Sequence, residues 1–239
     1  DEFSKKKGHG KFATILVDLD RSSLLEVIDS HKSNDIIKTL KRLPVSMREQ
    51  VEEVCVDPST SSGQRMWGGF PKVIKEVFPN AKIVIDRFHV QKLINENLNK
   101  IRLKLEFRGL KNKFLLMMAH SQLNDSEKSE LELLLSNSLI LRIADELKEE
   151  IIKIYNSIFA VKCGTKKIRE WLVFAKIIFR DAAKTIDLHL AEIGNYFTNR
   201  TTSGVTEGLN TRIKLILRQS YGFRNFYLMR AKLLVCLFK

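Results

Sequence analysis

Ile83-Val84-Ile85-Asp86-Arg87-Phe88-His89-Val90 is where the chain changes character. An apolar, β-branched run ends on a carboxylate, and a helical pattern begins at once behind it. All four prolines, Pro44, Pro58, Pro71 and Pro79, lie upstream of this stretch, and none lies downstream. Proline interrupts helices and strand ladders, so the two sides are expected to differ in architecture.

Upstream, the pattern is mixed. Phe12-Ala13-Thr14-Ile15-Leu16-Val17-Asp18 and Leu24-Leu25-Glu26-Val27-Ile28 read as strands. The polar turn Arg21-Ser22-Ser23 between them predicts a hairpin. Asn34 to Leu43 has helical spacing at Ile36, Ile37 and Leu40 and stops before Pro44. Val51 to Val56 reads as a buried strand closed by Asp57. Phe70 to Phe78 reads as a helix, and Pro79-Asn80 turns the chain into the strand Ile83-Val84-Ile85. Strands separated by helices imply a layered α/β fold.

Downstream, Ile94, Leu98, Ile101 and Leu105 form one amphipathic stripe. Ile140, Ile143, Leu147, Ile151, Ile154 and Ile158 form a second. Asn124-Asp125-Ser126 and Cys163-Gly164-Thr165 punctuate them, and a further helix from near Thr165 carries Ile168, Leu172, Ala175 and Phe179. This block reads as a helical bundle packed around a core.

The length of 239 residues fits one domain with a large insertion or two small ones. A net charge of +13 favours a polyanionic partner, nucleic acid or an anionic membrane surface. The excess is clustered. Lys92 to Gln122 holds seven Lys/Arg against two acids, and Asn199 to Lys239 holds eight against one. Such clustering suits a phosphate-binding surface. Cys55, Cys163 and Cys236 are far apart, suggest neither zinc nor a disulfide framework, and read as small core residues in a reducing, cytoplasmic setting. No apolar run approaches the roughly 18 residues of a membrane span. The start at Asp1, without an initiator methionine, reads as a fragment of something longer.

Three acids stand out. Asp57 and Asp86 each close an apolar strand, and the carboxyl edge of an α/β sheet is where such folds place ligands and metals. The alternative for either is a cap at a strand-to-helix turn. Glu207 falls on a helix whose apolar stripe is Leu209, Ile213, Ile216 and Leu217, and it shares the polar side with Asn210, Thr211, Lys214 and Arg218. A lone acid on a basic face makes sense if it holds a divalent cation that touches phosphate. Otherwise it balances surface charge. His89 either contacts phosphate at the site edge or hydrogen-bonds Asp86 at a helix start. Trp67 and Trp171 are read as core residues rather than stacking surfaces.

Phe78-Pro79-Asn80-Ala81 with Ile83 to Val90 resembles a signature of insertion-sequence transposases of the ISL type. So does Arg200-Thr201-Thr202-Ser203-Gly204-Val205-Thr206-Glu207-Gly208-Leu209-Asn210, with Ile213-Lys214 and Tyr221-Gly222-Phe223-Arg224-Asn225-Phe226. Asp1-Glu2-Phe3 with Lys7-Gly8-His9 matches as well. The resemblance runs from end to end and is strongest over 77–94 and 198–226. It implies an α/β, RNase H-like mixed-sheet core (1–90 and 200–239) interrupted by an all-helical insertion (91–199). It also implies a DDE site formed by Asp1, Asp57 and Glu207, with Asp86 and His89 as accessories. Such a site would hold two Mg²⁺ or Mn²⁺ ions about 4 Å apart and cut and rejoin DNA at element ends and target. The active form is expected to be a homo-oligomer, bacterial, cytoplasmic and bound to the nucleoid, with no membrane partner. Lys92, Lys100, Lys104, Arg212, Lys214, Arg218 and Arg224 are the expected phosphate contacts.

Two departures from the family pattern bear on activity. Pro58 to Arg65 stands as an extra polar loop between Asp57 and Met66-Trp67-Gly68-Gly69-Phe70. The amino-terminal zinc-binding and helix-turn-helix regions of the family are not in this sequence. The first strand, starting at its own catalytic residue, is expected to pair weakly. An inactive DNA-binding remnant and a different RNase H-like nuclease are therefore the competing readings.

Overall fold

The computed structural model describes residues 2–4, 12–56 and 70–238. The chain divides into two compact units, Asp1–Val84 with Thr201–Lys239, and Ile85–Arg200. The fold is α/β, mostly helical, with small sheets.

In the first unit, β1 (Glu2–Ser4), β2 (Phe12–Asp18) and β3 (Ser23–Ile28) form an antiparallel sheet in that order. The hairpin is where the sequence puts it. The first strand, expected to pair weakly, is hydrogen-bonded along β2, with Glu2 opposite Thr14 and Phe3 opposite Ala13. Leu24 and Val27 are three residues apart yet share one face. A bulge between Leu16 and Val17 shifts the register, leaves Leu25 half-exposed, and restores the alternation.

Both faces of this sheet are covered. Phe3, Ala13, Ile15, Leu24 and Val27 pack with Leu209 and Ile213 of α12 (Gly204–Gln219) and with Met229, Leu233 and Leu237 of α13 (Phe226–Leu237). Arg230 of α13 clamps Glu26 of β3 with two bonds of 2.5 and 2.6 Å. Opposite, Ile28 and Leu16 meet Ile36, Ile37 and Leu40 of α1 (Ser33–Leu40) and Val73 and Val77 of α3 (Phe70–Val77). A short α2 (Val45–Glu49), which the sequence reading did not anticipate, follows Pro44. Separately, β4 (Glu53–Cys55) and β5 (Lys82–Val84) form a two-stranded parallel sheet. β4 is shorter than the expected Val51–Val56 strand and only half-buried, not buried.

The second unit is helical: α4 (Arg87–Lys104), α5 (Leu110–Met117), α6 (Asp125–Ser136), α7 (Leu139–Asn156), α8 (Val161–Ile178), α9 (Arg180–Leu188), α10 (Leu190–Gly194) and α11 (Tyr196–Asn199). Helix α7 packs on α4 and α8, and α8 packs on α9 and α10. Ile94, Leu98, Leu147, Ile151, Ile168 and Leu172 are buried as the stripes require. The ends of the second stripe, Ile140 and Ile158, are exposed; Ile158 lies beyond the end of α7.

Two expectations from the sequence do not hold. Cys163-Gly164-Thr165 does not punctuate the bundle but lies inside α8. Gly164 is there for space: a Cβ on it would overlap the ring of Phe197. The cysteines are not core residues either, since Cys163 and Cys236 are exposed and Cys55 is half-buried. Gly164 takes the inward position beside Cys163, and Leu233 and Leu237 take the inner face of α13. Trp171 is a core residue, its indole N–H donating to the Leu147 carbonyl at 2.9 Å. Trp67 lies outside the described residues.

Candidate active site and nucleic-acid interface

β4 leads directly toward Asp57, and its ladder continues one residue past the strand through Val56 N–H to the Val84 carbonyl, 3.2 Å. Asp1 and Asp57 themselves, like the loop Pro58 to Arg65, lie outside the described residues. Glu207 sits in the first turn of α12, and its side chain is exposed. A carboxylate is favoured there by the positive end of the helix dipole. Among the described residues it forms no ion pair, so neither Lys214 nor Arg218 neutralises it. Glu53 of β4 accepts a hydrogen bond from the Thr201 hydroxyl, joining points 148 residues apart. Glu53 stands four residues before Asp57, and Thr201 six before Glu207. Thr201 was visible only as part of a motif. Glu53, an acid inside a short strand, carried no local signal.

Asp86 and His89 are almost wholly buried, at 1% and 5% exposure. Asp86 is the N-cap of α4, accepting from the His89 backbone N–H at 3.2 Å, and His89 Nε2 lies 3.6 Å from Asp86 Oδ1. The hydrogen-bonded helix-start reading describes this geometry. Burial, and then the charges of Tyr196 and Asp86, hold the Tyr155 phenol well above its ordinary range.

A second polar cluster went unread in the sequence. Lys148 and Asp145 are both fully buried on α7, 2.8 Å apart. Lys148 Nζ also donates to the carbonyls of Leu116 (3.0 Å) and Met118 (2.8 Å) and pairs with Glu149 at 3.1 Å. His120 Nε2 lies 2.7 Å from Asp145 Oδ2, and the His120 backbone N–H donates to Glu149 at 3.1 Å. Each buried charge is paired and hydrogen-bonded, which is what burial demands. The cluster pins the connection between α5 and α6 to α7.

Over residues 1–233 the chain matches the model of the DDE transposases of the ISL3 type, described as transposase. The chain belongs to this transposase family. No curated protein and no solved structure matches it significantly.

Membership of a transposase family implies DNA as the partner, and the basic residues suit that role. Lys92, Lys100 and Lys104 are exposed on α4, Arg212, Lys214 and Arg218 on α12, and Arg224 on the turn beyond it. Among the described residues Lys100, Lys104, Arg212, Lys214, Arg218 and Arg224 form no ion pair. Their charge is therefore available to phosphates. No helix among the described residues is long and apolar enough to cross a membrane. No group of three His, Cys, Asp or Glu among them is placed to hold a metal ion, and two of the three expected ligands fall outside that set.

Proposed function

We propose that this chain is the catalytic core of a transposase that cleaves DNA strands and transfers their ends to a target, using divalent metal, to move an insertion sequence. In this reading residues 1–90 and 200–239 form an RNase H-like core, 91–199 is a helical insertion, and Asp1, Asp57 and Glu207 form the site. The observation that carries it is the hydrogen bond from Thr201 to Glu53. It ties the segment leading into Glu207 to the strand leading into Asp57, which is the approach a shared site needs. Membership of the transposase family and the pairing of β1 with β2, immediately after Asp1, support it further.

Three carboxylates are hard oxygen donors suited to Mg²⁺ or Mn²⁺. Bound ions would supply the Lewis acidity that stabilises charge on the attacking and leaving oxygens. The residues of the chain do the rest. Glu207 offers an exposed carboxylate with no competing cation among the described residues. Arg212, Lys214 and Arg218, on the same helix, hold the phosphates of the strand. The acids also repel one another without a cation, so metal binding and site assembly are linked.

The test is nicking of supercoiled plasmid by the full chain with Mn²⁺. Cleavage is expected in the parent and lost in Asp57→Asn and Glu207→Gln, with duplex binding retained in all three. Cleavage by either variant sinks the assignment. Binding without cleavage by the parent identifies an inactive DNA-binding remnant.

A further inference from the structure

Helix α12 ends in a Schellman arrangement. The Gly222 N–H donates to the Leu217 carbonyl, and the Tyr221 N–H to the Arg218 carbonyl, both at 3.1 Å. This motif forces one residue into the left-handed region, where glycine is the usual occupant. Here that residue is Tyr221, with φ 52°, and glycine comes one place later, Gly222 with φ 87°. A bulky aromatic residue is strained in this conformation.

The fold gives the ring nothing in return. Tyr221 is fully exposed, at 102%, and its side chain makes no hydrogen bond or ring contact among the described residues. Two backbone bonds nevertheless fix the point from which the ring projects. Arg218 stands three residues before it and Arg224 three after, both exposed and without an ion pair among the described residues. An anchored planar ring, with an available arginine three residues to either side in sequence, suits one chemistry. The ring offers a π-face to a base, and the arginines offer charge to the phosphates on either side.

Bases inside a duplex already stack on both faces. A base with a free face occurs in single strands and at strand ends, which are what a strand-cutting enzyme produces. We propose that Tyr221 is a stacking platform for an unpaired DNA base, with Arg218 and Arg224 holding the flanking phosphates. This inference rests on the reading of the chain as a DNA-processing protein.

The test uses the full chain in EDTA, a single-stranded oligonucleotide carrying 2-aminopurine, and a covalently closed circular duplex containing the same sequence. The parent is expected to quench the 2-aminopurine fluorescence on binding. Tyr221→Ala should lose the quench and weaken single-strand binding roughly tenfold, leaving duplex binding within about twofold. Tyr221→Phe should retain both. Tyr221→Gly relieves the backbone strain, so it should melt no lower than the parent while showing the same single-strand loss. That separates the ring's role from folding. Unchanged single-strand binding and quenching in the Ala and Gly variants overturns the proposal. So does a change in sedimentation with DNA binding unaltered, which would make the ring a protein contact. If the parent binds neither probe, the DNA reading itself fails and this proposal falls with it.

Discussion

Asp145 and Lys148 of the helical unit have no exposed surface, and every partner they have is fixed: two backbone carbonyls, Glu149 and His120. Glu207 of the α/β unit is exposed at the head of a basic helix and has no ion pair among the described residues. Asp145 and Glu207 are both carboxylates on helices that also carry basic residues. The difference is what each charge is free to do. A network whose buried charges are paired with one another and with the backbone holds helices together, so it is architecture. An acid left open, beside cations that are themselves open, is available to a ligand. Burial and perturbed surroundings alone would have pointed to the wrong cluster.

The comparison breaks most readily at the buried network. Lys148→Met removes the buried ammonium that pairs with Asp145 at 2.8 Å and should cost about 3–5 kcal/mol in urea unfolding. Asp145→Asn should also destabilise. Glu207→Gln, by contrast, should change stability by less than about 0.5 kcal/mol without metal. Equal losses from the two sites would erase the distinction between them. A smaller effect is expected where packing rather than charge is tested. Gly164→Ala drives a methyl into Phe197 and should cost about 1–3 kcal/mol, read as a lower Tm. A neutral result would mean that the α8–α11 contact yields easily.

The basic faces sharpen the other half. Neutralising Lys214, Arg218 or Arg224 one at a time should lower the log–log salt slope of duplex binding by about one unit each. Lys148→Met, if folded, should leave that slope alone. Removal of Pro58 to Arg65 is read by activity. If the parent binds DNA without cutting it, the shortened chain should cut.

Local structure was legible where one pattern dominated. The β2–β3 hairpin and the α4 and α7 stripes were plain, because alternation and helical spacing extend over whole elements. Legibility failed where a distant neighbour decided the outcome. Gly164 looked like a break because glycine usually is one, and only Phe197, a residue far along the chain, explains it. The exposure of Cys163 follows from the same helix rotation. Asp145, Lys148 and Glu149 went unread, since nothing local announces that His120 and two carbonyls will cover them. At the candidate site, Glu207 and its polar face were readable from spacing. Glu53 was not, because its meaning lies in a bond to Thr201, 148 residues away.

On this account Glu207 is exposed because it holds metal together with Asp57. Thermal unfolding of the full chain with increasing Mn²⁺ tests it without relying on catalysis. The parent should gain stability progressively, by about 2.7 kcal/mol at a hundredfold excess over the dissociation constant. Glu207→Gln and Asp57→Asn should lose most of that gain while melting near the parent in EDTA. The same Mn²⁺-dependent gain in both variants, or none in the parent, would contradict it.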